Sequence, residues 1–209
     1  MVKLSCCPQD FVSIPPRTAP NNWPPHLEED RAALLREVDA LRGRIVELEQ
    51  MADTDPMTAL SNRRALDREM VRALATVDRH DMPYAFALLD VDALKRINDG
   101  HGHLAGDMVL RRLAIGLRDS FRRTDVAARL GGDEFALILP RVSLDEAQAR
   151  LARFMADFSG RDIVSGSARL RVSVSAGLTE ILPRDTMAQV ISRADAALYQ
   201  AKAAQRSAR

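Results

Sequence analysis

Leucine recurs at every seventh position from Leu27 through Leu34 and Leu41 to Leu48. Val38, Ile45 and Ala52 each fall four residues after one of those leucines. Written as heptads, leucine holds every d position, and Arg31, Val38, Ile45 and Ala52 hold the a positions. Beta-branched residues at a with leucine at d favour a parallel two-stranded coiled coil. The flanks agree: Glu37 at g would face Arg42 at e of the partner, and Arg44 would face Glu49. A surface helix packed on its own domain needs a wider apolar stripe than this narrow seam. Residues 27–53 are therefore predicted to be a dimeric, parallel coiled-coil helix. The homodimer is expected to form through residues 27–52, over a length of about 40 Å at roughly 1.5 Å per residue.

Upstream the pattern vanishes. Residues 1–26 hold six prolines and almost no periodicity, which predicts an extended or disordered tail. Trp23 is expected to pack against the following helix. The tail is a candidate receiver of a signal, directly or through a regulatory protein.

Downstream, residues 54–209 alternate between two periods. Tyr84 to Asp90 is an apolar run ending in an acid, the mark of a buried strand. Leu104 to Leu117 has helical spacing. Val126 to Arg129 and Phe135 to Leu139 are short strands around Gly131-Gly132, a hairpin. Leu144 to Phe158 is an amphipathic helix, Leu170 to Ile181 alternates like a strand, and Met187 to Ala203 closes the chain as a helix. The order predicts an α/β sandwich whose mixed, largely antiparallel sheet carries helices on both faces.

Composition narrows the classes. Hydrophobic residues make up 46% and aromatics only 4%, so the core is built from Leu, Val, Ile and Ala. A formal net charge of +1 supplies no field for nucleic acid or an acidic membrane. No apolar run reaches spanning length, and Met1 to Ser5 carries one lysine and no apolar h-region, so a secretory signal is not expected. The two cysteines, Cys6 and Cys7, are adjacent and make neither a disulfide framework nor a four-ligand zinc site. A cytoplasmic protein is expected.

Two acidic sites stand out: Asp90, ending the first strand in LLDVD, and Asp133-Glu134, following the double glycine in RLGGDEF. If the strands are neighbours, these carboxylates converge at one sheet edge. Hard oxygen ligands with few protein contacts suit Mg²⁺, which keeps waters and shares phosphate oxygens. Two such ions would activate an attacking hydroxyl and stabilise a leaving pyrophosphate. Gly131 and Gly132 supply a tight turn and a close backbone approach to a nucleotide.

The stretches DPMTALSNRRALDREM, LLDVDALKRINDGHGHLAGDMVL, FRRTDVAARLGGDEFALILP and ADAALYQAKAAQR resemble the GGDEF domain family in order and spacing. The resemblance implies a nucleotidyl-cyclase-like fold related to polymerase palms. It also implies a diguanylate cyclase: an enzyme that condenses two GTP into cyclic di-GMP and two pyrophosphates, with two Mg²⁺ per active site and Mn²⁺ as an alternative. By the same resemblance Asp90, Asp133 and the Val91 carbonyl are metal ligands, and Asp133 or Glu134 takes the proton of the ribose 3′-hydroxyl. Lys95, Lys202 and Arg206 meet phosphate, while Asn98 and Asp107 contact guanine. His101 and His103 are structural. Arg122 and Asp125 match the family's product-inhibition RxxD pair, and Arg153 the secondary arginine contributed from a neighbouring domain. The family also includes non-catalytic receptors for cyclic di-GMP that have lost the acidic site; here both acidic positions are intact. Departures are Ala59 for glycine, Ala93-Leu94 where phenylalanine is usual before the lysine, and Gln205 and Ser207 around Arg206.

Overall fold

The computed structural model describes residues 25–165 and 168–207, without the side chains of residues 25–27, 45–52, 165, 168, 206 and 207. The proline-rich tail up to residue 24, with Cys6, Cys7 and Trp23, lies outside them. Tertiary contacts divide the chain into two units, one ending at Leu48 and the other running Glu49–Arg209.

The helix predicted by the heptads is α1 (Pro25–Asp53). It opens on a proline, whose fixed φ and missing N–H suit a first helical turn. Along its seam Leu34 is 61%, Val38 41% and Leu41 57% exposed. The seam residues Leu27, Ile45, Leu48 and Ala52 have side chains outside the description.

The second unit opens with a short strand, β1 (Ser61–Asn62), and α2 (Arg63–His80), whose start is capped by the Asn62 side chain accepting from Ala65 N at 3.0 Å. Then follow β2 (Tyr84–Val91), α3 (Leu94–His101), α4 (His103–Ser120), β3 (Val126–Gly131), β4 (Glu134–Pro140) and α5 (Leu144–Ser159). A small hairpin of β5 (Ile163–Ser165) and β6 (Ala168–Leu170) precedes β7 (Val174–Ile181) and the closing α6 (Met187–Ser207). The main sheet has the order β1-β3-β4-β2-β7. Its pairings are antiparallel except β1 with β3. The mixed, largely antiparallel sheet with helices on two faces matches the predicted class.

Residue parity explains the two faces. On β2, Ala85, Ala87, Leu89 and Val91 join the core beneath α4 and α5, with Val109, Leu113, Leu117, Leu151 and Phe154. Phe86 and the partly buried Leu88 join the opposite core, with Leu66, Met70 and Val77 of α2 and Val190 and Ala194 of α6. An apolar run with no polar alternation is what a strand covered on both sides requires. The same parity puts Asp90 on the α2/α6 side.

The Leu170 to Ile181 run is not one strand. β6 ends at Leu170 and β7 begins at Val174. At the break, Ser173 accepts from Asp92 N through its carbonyl at 3.0 Å and donates to Asp92 Oδ2 through its hydroxyl at 2.6 Å. Alternation cannot register such an interruption, because the bonds come from a loop 81 residues away. The spacing arguments also passed over α2, α3 and the β5–β6 hairpin. Among the described residues, no helix is long and apolar enough to cross a membrane.

Candidate active site

Asp90 and Glu134 face each other as register partners where β2 meets β4. The two acidic segments are thus neighbours, the condition on which the sequence reading rested, but at the end of central strands rather than along an outer edge of the sheet. Between β3 and β4 the chain turns at Gly131 (φ 141°) and Gly132 (φ 53°), and a register shift sits between Arg129 and Gly131. A Cβ at either glycine would meet nothing within 4 Å, so the space at the turn is open and the glycines answer to backbone conformation. The turn is tied to β2 by Val91 N, which donates to Asp133 O at 3.3 Å.

Behind the turn lies a clamp that sequence reasoning missed. Arg129 donates to the Gly132 carbonyl from Nε at 3.2 Å and from Nη2 at 2.8 Å. Its Nη1 reaches Asp55 Oδ1 at 3.3 Å, and the two side chains are only 10% and 19% exposed. Asp55 in turn accepts from Thr58 N at 2.9 Å and Thr58 Oγ1 at 2.6 Å. Burial pushes the Asp55 carboxyl up, but the Thr58 bonds and the Arg129 charge outweigh it and hold it below the usual carboxylate range. The available signal was a charged residue inside an apolar strand, two positions before the double glycine.

Asp90 has a side chain 15% exposed, and its Oδ2 lies 2.7 Å from Lys202 Nζ on α6. Burial pushes its carboxyl up; Lys202 opposes this, while the charges of Asp133 and Asp92 push the same way, and the net shift is upward. Asp92 is a second residue not singled out in the sequence. Its two oxygens accept from Ser173 and Ser175 hydroxyls at 2.6 and 2.7 Å, which anchors the loop after β2 to β7.

The acids fit a site for a hard divalent cation. Among the described residues no group of three or more His, Cys, Asp or Glu side chains is placed to hold a metal ion by itself. Two carboxylates and a main-chain carbonyl suit an ion that takes its remaining ligands from water and phosphate. The upward shift at Asp90 comes first from burial, with the neighbouring charges of Asp133 and Asp92 adding to it.

Lys95, in the first turn of α3, is exposed, and so are His101 and His103 at the α3–α4 junction. Asn98 lies against the backbone of α4: a side chain at Gly106 would come within 2.0 Å of Asn98 Oδ1. That oxygen is buried without a partner. Asp107, the next residue on α4, is half-buried. The Arg206 side chain lies outside the description.

Arg122 and Asp125 form a tight local turn, with Arg122 N donating to Asp125 Oδ2 at 2.8 Å and Asp125 N to Arg122 O at 2.9 Å. The Asp125 carboxylate is paired with Arg150 of α5. Arg122 and Arg153 are exposed.

Comparison with known proteins agrees with this fold. The family profile described as "Diguanylate cyclase, GGDEF domain" matches residues 52–208. Diguanylate cyclase DgcP of Pseudomonas aeruginosa is 38% identical over 171 residues, covering 82% of this chain and 26% of that protein. Response regulator PleD of Caulobacter vibrioides is 34% identical over 176 residues, covering 83% of this chain and 39% of that protein. The chain thus spans well under half the length of these curated relatives. Among solved structures, the coiled coil and GGDEF domain of DgcB from Caulobacter crescentus, in complex with c-di-GMP, is 34% identical with a TM-score of 0.78, covering 85% of this chain and 95% of that one. Diguanylate cyclase SiaD of Pseudomonas aeruginosa, in complex with its activator SiaC, is 35% identical with a TM-score of 0.75, covering 86% of this chain and 69% of that one.

Proposed function

The chain belongs to the GGDEF family, and from that premise we propose that it is a diguanylate cyclase, condensing two GTP into cyclic di-GMP and two pyrophosphates. The observation that carries this reading is the meeting of Asp90 with the Gly-Gly-Asp-Glu turn beneath open space. Asp90, Asp133 and the Val91 carbonyl would hold magnesium, two ions per site, with manganese as a substitute. Bound there, the metal neutralises phosphate charge and eases ionisation of the attacking hydroxyl.

The protein's own residues bind, orient and take protons. Each ribose 3′-oxygen forms a bond to the α-phosphorus of the other GTP, the bond from that phosphorus to the bridging oxygen breaks, and pyrophosphate leaves. The 3′-hydroxyl proton passes to Asp133 or Glu134. Lys202, already beside Asp90, and Lys95 and Arg206 meet the phosphates. Asn98 and Asp107 read guanine: the orphaned Asn98 Oδ1 and the Asp107 carboxylate are acceptors for the N1–H and 2-amino donors. Adenine lacks that donor pair, and leaving the acceptors unpaired costs on the order of 1–3 kcal/mol.

One domain holds one GTP, so two copies must meet with their nucleotides antiparallel. The exposed Leu34, Val38 and Leu41 seam supports a parallel homodimer through residues 27–52, which turns a bimolecular encounter into an effectively intramolecular one. Arg122, Asp125 and a neighbouring domain's Arg153 would bind product as a feedback inhibitor. The SiaD–SiaC complex supports a regulatory protein as a partner, and the N-terminal segment is where we place it.

The test is to incubate the protein with GTP and Mg²⁺ and separate the nucleotides. Cyclic di-GMP should accumulate, and Asp133→Ala should abolish it in a folded protein. Near wild-type conversion by Asp133→Ala would remove the acidic turn from the reaction. Product binding without turnover would make the chain a receptor instead.

A further inference from the structure

The Asp125 carboxylate, the acceptor of the RxxD pair, is already covered from within. Its side chain is 1% exposed, and Oδ2 accepts both from Arg150 Nη2 and from Arg122 N. We infer that Arg150 is a built-in competitor for this carboxylate and so sets how tightly the product site holds its ligand. The inference rests on reading Arg122 and Asp125 as the product site.

Chemistry explains the competition. The N1–C2–N2 edge of guanine is a guanidine fragment, presenting two N–H donors side by side. The guanidinium of Arg150 presents the same pattern, so it occupies the place a guanine edge would take. A ligand cannot reach a carboxylate so fully covered until Arg150 leaves it.

Arg150 is held, but incompletely. Its guanidinium lies over the Phe121 ring, 5.2 Å from the centroid, a favourable cation–π contact. Yet Arg150 Nη1 and Asp125 Oδ1 are both buried without a partner. An arginine committed to a structural carboxylate pair commonly donates two parallel bonds; this one leaves a donor and an acceptor idle, so the closure is displaceable. There is room to move: a hollow of about 380 Å³, lined by Ser120, Arg150, Arg153, Phe154 and Asp157, opens beside it. Product affinity is then the intrinsic affinity multiplied by the fraction of time Arg150 spends off Asp125.

The test titrates the full chain with cyclic di-GMP by calorimetry and measures initial rates with added product. Arg150→Met keeps an apolar stem over Phe121 and removes the donors. It should tighten product binding about tenfold or more, since a competent state populated at about a tenth or less imposes that factor. Arg150→Lys keeps a counter-ion for the buried carboxylate but lacks the planar fork; it should tighten binding less, and it carries the test if Arg150→Met does not fold. Inhibition should shift to lower product concentration by the same factors. Weaker or unchanged binding in the folded Arg150 variants, with binding lost in Arg122→Ala, overturns the inference alone. Undiminished affinity in Arg122→Ala overturns the product-site reading beneath it.

Discussion

Lys202 Nζ lies 2.7 Å from Asp90 Oδ2, joining the last helix of the chain to the end of β2. The contact follows from parity. Asp90 shares the β2 face of Phe86 and Leu88, and that face is covered by α2 and α6. A one-residue shift of β2 would turn Asp90 toward α4 and away from Lys202.

Lys202→Met should therefore cost function more than stability. Its side chain is 30% exposed, so the melting temperature should change by only a few degrees. Removal of a preorganised cation at the reacting phosphates should lower kcat/KM about a hundredfold. Initial rates alongside thermal melts check this; near wild-type turnover would exclude Lys202 from the reaction.

The placement of Lys202 depends in turn on Gly177. A side chain there would fall 2.1 Å from Ala194 O and 2.3 Å from Leu198 N. Both are backbone atoms of α6 and cannot rotate aside. Gly177→Ala should push α6 off β7, at a cost of about 1–3 kcal/mol, and carry Lys202, one turn beyond Leu198, away from Asp90. Urea denaturation should show the destabilisation, and turnover should fall at temperatures where the variant is folded. Unchanged stability and rate would mean that α6 is not held at this contact.

Asp55 gives a pH dependence. Its folded carboxyl sits below its ordinary range, through Thr58 and Arg129 overcoming burial. A group with a depressed folded pKa stabilises above its unfolded pKa, here about 3.9, and loses that contribution as pH falls through the folded value. Asp55→Asn should be less stable than the parent at neutral pH, with a gap that closes as pH drops below about 4. Denaturation series at several pH values measure the gap; a constant difference would mean that the Asp55 charge is not what the clamp uses. Because Arg129 also holds the Gly132 carbonyl, turnover should fall too.

The heptad seam predicts assembly. Burying a leucine side chain is worth roughly 1.5–3 kcal/mol, and changing both Leu34 and Leu41 to Asp would set like charges at facing d positions. The wild type should scatter as a dimer at micromolar concentration and the double variant as a monomer. Activity of the variant should fall steeply and depend strongly on concentration. A monomeric wild type, or full activity of the variant at high dilution, would show that the seam does not assemble the enzyme.

Much of the fold is local in origin and was legible. The uninterrupted apolar run of β2, the glycine pair between β3 and β4 and the amphipathic spacing of α4 and α5 each specify an element within a few residues of themselves. The juxtaposition of Asp90 with the acidic turn needed only that the two strands be neighbours. One departure from the family's usual residue also has a local reading: Ala59, standing for glycine, adopts φ 56°. Its N–H is held by the Asp55 carbonyl at 2.8 Å, so the turn persists at a position where a Cβ costs about 1–2 kcal/mol.

By itself, then, the sequence determined the periods, the turns, the faces each strand shows and the acidic pair, because those depend on backbone geometry repeated every two or 3.6 residues. Only the tertiary structure decided that Arg129 clamps Gly132 to Asp55, that Ser173 interrupts the last strand for Asp92, that Lys202 pairs with Asp90, and that Arg150 rather than the Arg122 side chain takes Asp125. Each is a choice among many similar polar and charged groups, made by which of them packing brings within a few ångströms. Hydrophobic periodicity carries no record of that choice, because charge pairing depends on distance in space and not on spacing along the chain.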